Sequence, residues 1–104
     1  MPRRWTAEER ARELVRRVER AVSEVRVVQR VQHGEVLDQR VVNPDAIQRA
    51  LKEYRLAAIA LGQQRHEDGT NQGPMAVDRV WVTRLTEELE RSWRELDRLR
   101  GLAR

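Results

Sequence analysis

His33 and His66 are the only imidazoles in the chain, so any acid–base chemistry starts from what stands near them. Nucleophilic catalysis needs a hydroxyl or thiol held by a base. There is no cysteine, and the hydroxyls of Ser23, Ser92 and a few threonines stand at no motif spacing from either histidine. His66-Glu67-Asp68 supplies nitrogen and oxygen donors, but three consecutive residues do not by themselves make a three-ligand metal face. Glu87, Glu88 and Glu90 lie among Arg84, Arg91 and Arg94. The spacings Glu87 to Arg91 and Glu90 to Arg94 read as surface ion pairs, not as paired carboxylates at work on a substrate. Gly62, Gly69 and Gly73 lack the spacing of phosphate-cradling loops. The chain is therefore read as non-enzymatic, with no catalytic residue, no metal, no cofactor and no small-molecule substrate.

Binding chemistry is better represented. Every basic residue except Lys52 and the two histidines is arginine, whose planar guanidinium pairs bidentately with phosphate or carboxylate. Arg3 and Arg4 precede Trp5, and Arg10, Arg12, Arg16, Arg17 and Arg20 follow. Phosphate contacts beside a stacking aromatic would suit DNA or RNA. Glu8, Glu9, Glu13 and Glu19 interrupt the run, so a solvated helix face is the competing reading. No helix-turn-helix, zinc finger or RNA-recognition motif can be placed. Trp81 and Trp93 are the other two tryptophans, and they suit a core or a self-association seam.

The elements that must position these residues are read from periodicity. Thr6-Ala7-Glu8-Glu9 has the spacing of a capping box. From it Ala11, Leu14, Val18, Ala21, Val25 and Val28 recur every three or four residues, predicting a helix over about 6–32 that ends at His33-Gly34. The β-branched valines at 25, 27, 28, 31, 36, 41 and 42 make a β-hairpin from Val25 to Val42 the rival reading. Continuity of the stripe favours helix, because a lone two-stranded hairpin is poorly stable unless packed on something.

Asn43-Pro44-Asp45 predicts a second helix over 44–61, with Asn43 bonding a free amide. Its last turns are apolar nearly all round, which predicts enclosure by neighbours. Gly62 to Pro74 reads as a polar loop. A third helix is predicted over 75–100, where Val82, Leu85, Leu89, Ser92, Leu96 and Leu99 follow a coiled-coil-like heptad broken only by Ser92. At ~1.5 Å per residue the outer helices would measure roughly 40 Å and the middle one roughly 27 Å, leaving part of an apolar seam exposed.

The expectation is one all-α domain over 1–104, a three-helix bundle or helical hairpin with long outer helices. Apolar residues make up 39% of the chain and charged residues 37%, against ~45–50% and ~25% in an average globular domain. A small core under much polar surface suits a chain that completes its burial by association. The net charge of +4 falls wholly in the first 32 residues, which hold nine arginines and five acids. No secretory signal is visible and no window nears the ~18 apolar residues of a membrane span, so a cytoplasmic location is expected.

The stretch Val41 to Gly62, about a fifth of the chain, is loosely similar to assembly helices of phage DNA-packaging small subunits, without a helix-turn-helix before it. The leading expectation is an assembly or adaptor protein working through protein–protein contacts, with itself or another protein as partner. Its interface would be Val82, Leu85, Leu89, Trp93, Leu96 and Leu99. The alternative is a nucleic-acid-binding accessory of a phage DNA-packaging or defence complex, using the N-terminal arginines.

Overall fold

Thr6 opens the first helix as its spacing predicts. Its hydroxyl accepts the Glu9 amide at 3.1 Å, and the Glu9 carboxylate takes the Thr6 amide at 3.4 Å, closing the capping box. A computed structural model describes residues 5–70 and 80–103, with side chains over 5–64 and 80–103. In chain order the elements are α1 (Ala7–Ser23), β1 (Val27–Gln32), β2 (Glu35–Val41), α2 (Pro44–Thr70) and α3 (Val80–Leu102).

The all-α expectation is corrected by β1 and β2, which pair antiparallel from Val27↔Val41 to Gln32↔Glu35. The hairpin reading of Val25 to Val42 holds, and the helix to Gln32 does not. His33 and Gly34 have φ of 51° and 80°, the positive values that a two-residue hairpin turn of type I′ requires at both positions. The sequence His-Gly therefore reverses a strand instead of ending a helix. Asn43 decides where α1 stops. Its Oδ1 accepts the Arg26 amide at 2.7 Å and its Nδ2 donates to the Glu24 carbonyl at 2.9 Å. The side chain expected to cap α2 thus holds the α1–β1 junction, while the Asn43 carbonyl accepts the Ala46 amide at 2.9 Å. The strands are not alone, since Val25, Val27 and Val41 at the base of the hairpin pack on the helical core.

α2 runs nine residues past its expected end at Leu61, through Gly62 to Thr70. A mid-helix glycine costs only about 1 kcal/mol relative to alanine, which the buried Leu61 and the polar helix formers after it offset. The rest of the expected loop, Asn71 to Pro74, and the expected start of α3, Met75 to Arg79, lie outside the described residues. At ~1.5 Å per residue the 17, 27 and 23 residues of α1, α2 and α3 give lengths of roughly 26, 40 and 34 Å. The middle helix is the longest, so the exposed seam inferred from a short middle helix disappears.

One end of the core joins Ala11, Val15 and Val18 of α1 to Ala57 and Leu61 of α2 and to Val82, Leu85 and Leu89 of α3. The other joins Ala21, Ile47, Ala50, Leu96 and Leu99. Val22 and Tyr54 touch both, making the two continuous. Fully buried alanines at 46, 50 and 57 bring the α2 backbone close to its neighbours. The Tyr54 ring lies 4.7 Å from that of Trp93, and the Arg100 guanidinium sits 5.7 Å from the same indole. Enclosure of α2 is incomplete, for Leu56 and Ile59 remain exposed. Among the described residues no helix is long and apolar enough to cross a membrane.

Candidate functional site

Beyond its base the hairpin leaves the core. Val28, Val31, Val36, Leu37 and Val42 are each about half exposed, between 48% and 55%, although valine and leucine are among the side chains most often buried. The register breaks between Arg30 and Val31, where Arg30 faces Asp38 and Val31 faces Val36, so Leu37 has no cross-strand partner. This is a β-bulge, which sharpens twist and re-aims side chains. The sheet has two strands only, so among the described residues both outer edges keep unpaired amides and carbonyls. Exposed apolar side chains and open edges thus coincide on one projection from an elongated molecule of 59 × 31 × 21 Å.

The residues expected to form an interface stand elsewhere. Val82, Leu85, Leu89, Leu96 and Leu99 are buried against α1 and α2 of the same chain, and Trp93 is half-buried. A partner approaching α3 would not meet those five side chains. Ser92, the polar break in the heptad, is buried with them. Periodicity located the stripe, but period alone does not tell a helix that packs on its own chain from one that packs on another.

Of the N-terminal arginines, Arg3 and Arg4 lie outside the described residues. Trp5 is exposed, and Arg10, Arg12, Arg16, Arg17 and Arg20 lie on the solvent side of α1. Three of these five are paired: Arg12 with Glu8 at 2.9 Å, Arg20 with Glu13 at 2.9 Å, and Arg17 with Glu53 of α2 at 3.0 Å. Arg12 and Arg16 line an open groove of about 790 Å³ between α1 and α3 together with Arg84, Arg91, Glu8, Glu19 and Glu88. Acids alternate with bases along it, so its field does not concentrate a single sign.

The side chain of His66 lies outside the described residues. His33 is exposed at the hairpin turn, and the backbone of His66-Glu67-Asp68 continues α2. Among the described residues no three His, Asp or Glu side chains converge as metal ligands. Glu95 is held below the ordinary carboxylate value by hydrogen bonds from Arg98 at 2.6 and 3.0 Å. Arg98 is raised in turn. Glu95 also lines a shallow, open groove of about 300 Å³ with Glu19, Val22, Glu88, Arg91 and Ser92.

The sequence signal for the hairpin surface was present in the valine-rich run, but exposure is a tertiary property. Comparison with known proteins gives no matching family model, no matching curated protein and no matching solved structure.

Proposed function

We propose that the chain is a non-enzymatic assembly or adaptor protein that acts through protein–protein contacts, as a homo-oligomer or as a small subunit of a larger complex. One observation carries this reading: the hairpin holds five half-exposed Val and Leu side chains beside two unpaired strand edges. Unpaired edges are templates for strand addition, in which backbone hydrogen bonds give affinity and alternate side chains give specificity. Exposed apolar residues clustered in this way mark interaction sites on soluble proteins. The buried α3 stripe serves as the scaffold that holds the hairpin out. A cytoplasmic setting belongs to the same proposal, because a chain without cysteine draws no disulfide stability from an oxidising compartment.

The test is a photo-crosslinking amino acid placed at Leu37, compared in cells with the same group at Gln48, an exposed position on α2. A discrete protein adduct from Leu37 and none from Gln48 is expected. Equal background from both positions would remove the hairpin as the working surface.

A further inference from the structure

The outer edge of β2 has a chemical symmetry that β1 lacks. From Val36 to Val42 the residues run Val-Leu-Asp-Gln-Arg-Val-Val. About Gln39 as centre, an acid faces a base, Asp38 against Arg40, and then apolar faces apolar, Leu37 against Val41 and Val36 against Val42. A segment of this kind is complementary to itself when two copies run antiparallel. β1 carries Arg30 as its only charge and no acid, so no register of β1 on itself sets opposite charges face to face.

The backbone decides whether that symmetry can be used. Antiparallel pairs alternate between bonded pairs, which point their amides and carbonyls at each other, and non-bonded pairs, which point them outward. The Val42 amide donates to the Arg26 carbonyl at 3.0 Å. With the register Val27↔Val41, Val28↔Arg40 and Gln29↔Gln39, the alternation then makes 28/40 a bonded pair and 27/41 and 29/39 non-bonded pairs. Gln39 and Val41 therefore turn their backbone groups to the open edge of β2. A second β2 lying antiparallel there, on a two-fold axis through Gln39, would bond Gln39 to its own copy, and the regular pairing would end at the bulge at Leu37. Asp38 and Arg40 would then fall in a non-bonded pair, the kind that brings opposing side chains closest. Moving the axis to either neighbouring residue sets Asp38 on Asp38 or Arg40 on Arg40.

We infer that the occupant of the β2 edge is a second copy of this chain, joined in a four-stranded antiparallel sheet on a two-fold axis at Gln39. This rests on the reading of the hairpin as an interaction surface and names its partner. The contact is isologous and closed, since each β2 edge is consumed by its twin. It brings Leu37, which the single chain leaves half exposed, against the neighbouring strand.

The chain has no cysteine, so an introduced one is unique. In a bonded pair the Cα atoms lie ~5.5 Å apart, inside the ~4.4–6.8 Å window of a disulfide. Gln39→Cys should form a covalent dimer under mild oxidation, and Gln29→Cys, on β1, should not. D38R and R40D should each raise the dimer dissociation constant roughly tenfold by setting like charges opposite. An equimolar mixture of the two, and the double variant D38R/R40D, should recover wild-type association. The double variant matters because it keeps the clash of the new arginine with Arg30 across the hairpin, so its recovery separates loss of contact from loss of fold.

A wild-type dimer untouched by the charge variants, or one in which Gln29→Cys links as well as Gln39→Cys, would overturn the β2 register while leaving protein–protein contact in place. A wild-type chain that stays monomeric at millimolar concentration, with Leu37 crosslinking only to a different protein, would do the same. A monomer with no adduct at Leu37 would end both proposals.

Discussion

Asn43 is one residue with three structural duties. Its side-chain amide bridges Glu24 and Arg26, and its backbone carbonyl receives the first turn of α2. Asn43→Ala should cost about 1–3 kcal/mol, because the Glu24 carbonyl and the Arg26 amide lose their partners together. Thermal unfolding would measure it, and a change within error would mean that water serves those groups equally well. Gly34 makes a cleaner backbone experiment. A Cβ there meets nothing within 4 Å, yet φ is +80°, so Gly34→Ala should weaken the hairpin by about 1–2 kcal/mol through conformation alone. His33→Asn should act in the opposite direction, since Asn-Gly is the favoured pair for this turn. Hydrogen exchange of the strand amides reads both changes. At Glu95 the hydrogen bonds from Arg98 lower the pKa from an ordinary value of 4.5. The stabilisation is then complete above that value and fades as pH falls through the lowered one. Both side chains are about half exposed, so the effect should be tenths of a kcal/mol. Melting curves of wild type and Glu95→Gln between pH 6 and pH 3 should converge at the acid end.

The elements differ in how far their own residues specify them. α1 starts where its capping box says, and the α3 stripe is where heptad spacing puts it, because both signals lie within a few residues of the feature they predict. Leu96 is completely buried, so Leu96→Ala should cost about 2–5 kcal/mol and lower the melting temperature. Its effect falls on folding of the single chain, and an unchanged melting temperature would contradict the packing described. Ser92→Ala should stabilise α3 by a few tenths of a kcal/mol, through higher helix propensity at a buried position. The end of α1 was not legible in the same way. Val25 and Val28 continue the three-and-four spacing of α1, and no Gly or Pro lies between Ser23 and Val31. What breaks the helix there is Asn43, 17 residues beyond Arg26, a contact that no local window contains. Gly62 misled in the other direction, because a glycine is read as a stop while a packed helix tolerates it. The candidate site suffered from both errors. A helix carried to Gln32 leaves no hairpin to expose, and a short α2 leaves α3 looking uncovered.

The whole molecule divides its apolar residues between an interior that is closed and a projection that is not. Among the described apolar residues of the strands, Val27 and Val41 pack on the core, so the outer hairpin should be dispensable for folding. Deleting Gln29–Gln32 and Glu35–Gln39 leaves Val28 and Arg40, a bonded pair, to flank the His33-Gly34 turn. That chain should keep its helical circular dichroism and a cooperative melt lowered by no more than about 8 °C, the shift expected from ~1 kcal/mol in a domain of this size. Loss of the cooperative transition would show that the strands contribute to the core beyond those two valines. The Asn43 bridge has a mechanical consequence too. It ties the root of the hairpin to the point where α1 ends and α2 begins, so a load on the distant tip acts with leverage on that amide group and on the Val42–Arg26 bond beside it. Traction on the strands would reach the helices first at that joint, which makes it the place where tension outside the bundle becomes torque within it.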